Sequence, residues 1–547
     1  MYMQELKKQN YLKGAAILAA ASIFVKIVGA IYKIPIFNVL DTAGTGVFQV
    51  SYSVYTALLT ISTAGIPAAL SRIVASAAAA GKTSLAKRYF SVSLPAFLII
   101  GLVAMTVMYV FAGTFAGLMN NTMAAPGIRV LAPAVFFVCI ISVYRGYAQG
   151  YENMIPTATS QVVEVICKAA FGIAAAMWLA GRNSSSEIIS AGAIMGTTVG
   201  LGLAVPVLIW HKRRIDRALL ATSDEESRLK SSLRIFGELM RVSIPITISA
   251  SFFSIMTVID NSVVLGRLQS ALLLSEEAAS EQFGLYTYGL TVYNLPPSIV
   301  VPVSVSIIPA IAAALARKRE GEAGGIMQSS VKLIYLLAMP AGAGLMALAR
   351  PILSSLFFHQ LQTDQSLRTA TTAMIILGAA SFFVCLQYIT TAILQANGHE
   401  RVALMTFPVG AVIKILIGYF LAGNPKFGVI GSTIGTLVCF IIISALNITF
   451  IMIRVKERPK FAAISARPLI CTIVMAAVAF FAYKALHSIG SGIIGTSRIA
   501  ISLFLAVAII IAVVVYVILI IVTRAVTKED MSLVPKGEKL AKILRVR

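Results

Sequence analysis

Fourteen stretches of this chain are each about twenty residues long, mostly apolar and nearly free of charge, and no soluble fold buries that much continuous apolar sequence. They are 14–33, 47–66, 89–112, 127–148, 157–180, 188–210, 242–264, 284–308, 327–349, 369–394, 402–422, 427–453, 468–488 and 498–522. Inside lipid, every backbone N–H and C=O needs a partner within the protein, which leaves helices or closed barrels as spanning structures. The runs are too long for barrel strands and lack period-2 alternation. The expected fold is therefore an all-α polytopic membrane protein with about fourteen transmembrane helices. Composition agrees: 58% of the 547 residues are hydrophobic and 12% charged, where a soluble chain carries about 25% charged residues. Mean hydropathy is +0.88.

The charge is uneven. Lys and Arg number 45 against 22 Asp and Glu, a net of +23. The basic residues sit in short loops between apolar runs and form neither a continuous basic face nor an RNA-binding motif, so nucleic acid is not an expected partner. With the N-terminus in the cytoplasm, 33 of them fall in inside segments and 9 in outside ones. A miscounted span would scramble this asymmetry, so both termini and the 211–241 loop are expected on the cytoplasmic side of the cell membrane. Lys7, Lys8 and Lys13 precede an apolar run that continues to Ile31, which reads as an uncleaved first helix. The five cysteines show no C-x-x-C pair and read as small buried side chains.

Two polar loops, 211–241 and 454–467, divide the chain into an N-terminal six-helix lobe (1–235), a C-terminal six-helix lobe (236–461) and a terminal helix pair with a basic tail (462–547). The lobes look like copies. Gln149 stands 19 residues before Lys168 and Gln395 19 before Lys414, with Gly172 and Gly418 each four further on. The next spans carry Gly192-x-x-x-Gly196-Thr197 and Gly431-x-x-x-Gly435-Thr436. The second spans open with Gly46-Val47-Phe48 and Gly284-Leu285-Tyr286. Equal orientation makes this a parallel repeat, an arrangement found in transporters whose two lobes rock about a central site.

The candidate substrate-binding residues are Lys26, Glu164, Lys168, Asp260 and Lys414, which lie well inside spans, and Lys33, toward the outer end of the first. At mid-membrane each costs on the order of 2.5–3.5 kcal/mol, so they face a cavity or a partner. Glu164 and Lys168 are i,i+4 and can neutralise each other, and Asp260 can serve as partner to Lys26 or Lys33. The interior is nevertheless biased cationic, which suits an anion and a diphosphate above all. Tyr52, Tyr55, Tyr286, Tyr288, Tyr293 and Asn294 add hydrogen-bonding groups suited to a wet cavity. Pro296-Pro297, Pro302 and Pro309 are expected to kink the eighth span. The Gly490-Ser491-Gly492-Ile493-Ile494-Gly495 match to a dinucleotide loop follows no strand and is set aside. No metal, cofactor or catalytic constellation is expected, and the chain does not read as an enzyme.

Three motifs carry a family resemblance. Phe24-Val25-Lys26-Ile27-Val28-Gly29, Thr63-Ala64-Gly65-Ile66-Pro67-Ala68-Ala69-Leu70-Ser71-Arg72, and Tyr144-Arg145-Gly146-Tyr147-Ala148-Gln149-Gly150 with Met154-Ile155-Pro156-Thr157-Ala158 resemble the MurJ (MviN) lipid II flippases and their stage V sporulation protein B branch. The likeness runs over essentially the whole chain and places it in the multidrug/oligosaccharidyl-lipid/polysaccharide exporter superfamily. It implies two lobes around a cationic cavity, a terminal helix pair forming a lipid-open groove, and alternating access. The implied partners are a lipid-linked saccharide diphosphate such as lipid II and membrane lipids of the bacterial plasma membrane, with coupling to an ion gradient or membrane potential left open. The family's arginines in the second and eighth spans have no counterpart in 47–66 or 284–308, and its first-span cation carries over as Lys26. A flippase for another lipid-linked polysaccharide unit is the alternative. A cation-coupled multidrug exporter would want an anionic cavity.

Overall fold

The computed structural model describes residues 11–218, 231–495 and 497–525. The first ten residues, the middle of the 211–241 loop and the basic tail, with many of the orientation-setting charges, lie outside the described residues. Every regular element among the described residues is helical, and fourteen helices are long and apolar enough to cross a membrane. The all-α expectation holds, with ends shifted by several residues.

The first, second and eighth spans are broken where hydropathy runs on. The first divides at Tyr32 into Tyr11–Ile31 and Lys33–Val39. The second divides around Gly65 into Thr42–Thr63 and Ile66–Ala79. There the Gly65 amide leaves the helical ladder and donates to Thr247 Oγ1 at 3.1 Å, while Pro67 sits in the first turn of the next helix, where its missing N–H costs nothing. The eighth divides at Asn294, between Glu276–Tyr293 and Leu295–Ala316. Pro296 and Pro297 open the second piece, and Pro302 and Pro309 lie inside it. The proline pair thus starts a helix.

The chain forms two compact units, Met1–Gly284 and Leu285–Arg547. In the first, Ser232–Leu272 packs against the second and third spans, and its Ile235 and Leu239 enter a core with Leu70, Phe90, Phe97 and Tyr147. Tyr89 donates to Glu238 at 2.7 Å and Tyr147 to Asp216 at 3.1 Å at one edge of that core. In the second, Phe461–Ile494 and Arg498–Val522 share a core of Cys471, Met475, Ala479, Leu505 and Ala512. Tyr516 ties this pair to the Leu336 carbonyl at 2.9 Å, and Arg498 reaches the Ser355 carbonyl at 3.1 Å.

One packing contact occurs in both units. A Cβ on Gly196 would strike the Lys168 carbonyl and lie 2.5 Å from the Gly172 amide nitrogen. A Cβ on Gly435 would lie 2.9 Å from the Lys414 carbonyl and 3.6 Å from the Gly418 amide nitrogen. The same residue types, at the positions the sequence pairs, therefore bring Ile155–Ala180 against Ser186–Ala218 and Glu400–Ala422 against Ile430–Arg454. Small residues at such crossings let backbones approach and gain dispersion contact in lipid.

Candidate functional site

The site grows from an aromatic wall in the first unit. Phe48, Tyr52 and Tyr55 lie on the Thr42–Thr63 helix at spacings of four and three, so they share a face. Phe48 meets Phe37 edge-on at 5.3 Å and stacks near Tyr52 at 6.1 Å, and Tyr52 tilts against Tyr55 at 5.7 Å. Phe37, Phe48 and Tyr55 are buried and Tyr52 is half-buried, which leaves the Tyr52 phenol at the edge of the wall.

Two lysines converge on that phenol. Lys168, near the middle of Ile155–Ala180, donates from Nζ to the Tyr52 hydroxyl at 3.2 Å. Its ammonium lies 4.7 Å from the Tyr52 ring centre and 5.0 Å from that of Tyr32. Lys33, which opens the short Lys33–Val39 helix, places Nζ 5.8 Å from the same Tyr52 ring. The break at Tyr32 makes this possible: Tyr32 is buried beneath Lys168, and the short helix after it buries Ile36 and Phe37. Ring quadrupoles favour nearby cations, by about 0.5–2 kcal/mol each, but they do not neutralise them. Neither lysine has an ion pair among the described residues.

Glu164 does not supply the missing charge. Although it stands one turn before Lys168, its carboxylate pairs with Arg145 at 3.0 Å. Arg145 also donates from Nε to Ser160 at 3.0 Å, so its planar fork spans adjacent turns of Ile155–Ala180 and holds Glu164 away from the lysine. The intrahelical pairing open to Glu164 and Lys168 is therefore not formed. Asp260 is buried in Ser232–Leu272. Lys26 is exposed on Tyr11–Ile31, without a described partner. Lys414 is half-buried on Glu400–Ala422 in the second unit.

The structure thus brings Lys33, Lys168 and Tyr52 together and adds two residues the sequence did not single out for the site. Tyr32 ends the first helix, a position where an interfacial aromatic is ordinary. Arg145 counted as loop charge, yet it lies within Ala125–Gly150. The signal for both was spacing, since Tyr32 abuts Lys33 and Arg145 precedes Glu164 by 19 residues. Chemically, two half-buried ammonium groups beside phenols, with no carboxylate paired to either, have the charge to hold an anion, because a desolvated cation is costly until paired.

Residues 11–315 match the family described as polysaccharide biosynthesis protein. The Bacillus subtilis membrane protein YabM is 25% identical over 544 residues, covering 99% of this chain and 98% of that protein. Stage V sporulation protein B of the same organism is 24% identical, over 89% and 93% of the two chains. The lipid II flippase MurJ of B. subtilis is 26% identical over 74% and 76%. Among solved structures, the inward closed conformation of lipid II flippase MurJ matches with a TM-score of 0.66 at 15% identity, over 92% of this chain and 98% of that one. An inward-facing multidrug MATE transporter matches with the same TM-score and identity over 80% and 98%. The chain therefore has the fold these two structures share.

Proposed function

The chain belongs to the polysaccharide biosynthesis protein family, and on that premise we propose that it is a flippase, not an enzyme, carrying an undecaprenyl-diphosphate-linked saccharide across the bacterial cytoplasmic membrane by alternating access. Lipid II is the first candidate for its cargo. The observation that carries this reading is the acid-free pair Lys33 and Lys168 around Tyr52. A diphosphate brings the negative charge those ammonium groups lack, through charge-assisted contacts roughly twice as strong as neutral ones. Lys26 and Lys414 are further cations for the same headgroup, and Glu164 and Asp260 belong to its polar surroundings. The relative named a lipid II flippase supports the substrate. A flippase for a different lipid-linked glycan is the second reading, favoured by the family description itself.

Purified protein reconstituted into vesicles is expected to move lipid II between leaflets, read by the access of an added enzyme to its headgroup. Another undecaprenyl-diphosphate glycan moving in its place would select the second reading. Movement of neither, together with uptake of a cationic drug, would sink both.

A further inference from the structure

The Thr42–Thr63 helix and the 276–284 part of Glu276–Tyr293 approach more closely than side chains would permit. A Cβ on Gly46 would fall on the Ser280 carbonyl and lie 3.3 Å from the Gly284 amide nitrogen. A Cβ on Gly284 would fall on the Thr42 carbonyl, with the Thr42 methyl 3.1 Å away. The contact is reciprocal: each glycine rests on the carbonyl four residues before the other. Thr42-x-x-x-Gly46 and Ser280-x-x-x-Gly284 are both small-x-x-x-small pairs, the pattern that permits such close crossings in lipid. These are the two glycines at which the second and eighth spans open alike in sequence.

Polar groups also tie the ends that flank the crossing to neighbouring connections. Asn121 donates to Ser280 Oγ at 2.8 Å. The Thr122 hydroxyl and the Met123 amide both donate to the Glu276 carboxylate, at 2.8 and 2.9 Å. Asp41 accepts from the Gly44 amide at 2.7 Å and from the Ser186 hydroxyl. These residues come from four separate connections along the chain, and the loop charges assign all four to the outside. Tyr52 lies six residues inward from Gly46, roughly 9 Å along the same helix.

We propose that the Gly46–Gly284 crossing is the outer closing seam of the Lys33–Lys168 site: it shuts because neither residue has a side chain, and it must part for the headgroup to leave outward. This rests on the transport reading above. It makes the two glycines positioning residues that set how often the site is sealed from outside.

The test reads accessibility without any substrate. In protein whose native cysteines are replaced, a reporter Tyr52→Cys is labelled from outside with a membrane-impermeant maleimide. Gly46→Ala or Gly284→Ala is expected to raise the labelling rate about five- to thirtyfold, the population change that modest overpacking produces. Thr122→Ala with Glu276→Gln removes such ties without adding volume and should raise labelling in the same direction. Gly113→Ala, whose Cβ meets open space, should leave it unchanged. Unchanged labelling in the seam variants at parental abundance, or an equal rise in Gly113→Ala, overturns the seam. Raised labelling in a protein that flips no lipid-linked saccharide would keep the seam and remove the substrate.

Discussion

Lys168→Ala is expected to abolish flipping while the protein still reaches the membrane at parental abundance. The ammonium contributes a hydrogen bond to Tyr52 and lies beside two rings, and none of these contacts holds helices together as an ion pair would. Removing a cation that faces no acid relieves a desolvation cost, so folding should not suffer. Removing it from a bound diphosphate forfeits a hydrogen bond to a charged group, on the order of 1.5–3 kcal/mol, or roughly ten- to a hundredfold in affinity. Lys33→Ala should act in the same direction, and Lys168→Arg should retain part of the activity because charge survives while geometry changes. Lys26→Ala examines the exposed first-span cation by the same assay. Normal flipping by Lys168→Ala, measured in vesicles with matched protein content, would show that the lysine is not a substrate contact.

Gly196→Ala should damage the fold far more than Gly435→Ala, although the two glycines hold matching places. At 196 the added carbon meets backbone on two sides, the Lys168 carbonyl and the Gly172 amide and Cα, the latter at 2.7 Å. Backbone cannot rotate aside, so Ile155–Ala180 must move, and Lys168 moves with it. Overpacking of this kind typically costs 1–3 kcal/mol. At 435 the nearest atom is the Lys414 carbonyl at 2.9 Å and the others stand at 3.5 Å or beyond, so the backbone must still give, but at one atom and by less. The expected readout is a markedly lower unfolding temperature in detergent for Gly196→Ala and a smaller drop for Gly435→Ala. Equal losses would mean that the two crossings are packed alike.

Much of the fold was legible because lipid makes a simple demand: twenty apolar residues in a row need a helix, and the charged residues between them need water. Breaks within a span were harder to see. Tyr32, Gly65 and Asn294 interrupt helices inside apolar sequence, where mean hydropathy registers no change, and only Pro67 and the Pro296–Pro297 pair hinted at two of the three. The lysines stood out because an ammonium in an apolar run is rare and expensive. Their company could not be read the same way. The i,i+4 spacing made Glu164 available to Lys168, but Arg145 from a separate span takes it instead, and a contact between spans leaves no trace in local periodicity. Tyr32 was invisible as a site residue for a related reason, since its role depends on Lys168, 136 positions later.

The acid-free lysine pair also has an electrical consequence. Occupied by a diphosphate, the site is close to neutral, so the membrane voltage does little work on the loaded carrier. Empty, it carries two uncompensated positive charges. A charge crossing the whole field exchanges about 2.3 kcal/mol per 100 mV, and even a fraction of that biases a two-state equilibrium. On the transport reading proposed above, a negative cell interior would draw the unloaded carrier toward an inward-open form and reset the cycle without dragging the cargo. In vesicles, an inside-negative diffusion potential should lower outside labelling of a cysteine in the empty site. The response should shrink when Lys33 and Lys168 are both replaced by Gln, and an undiminished response would place the voltage-sensing charge elsewhere.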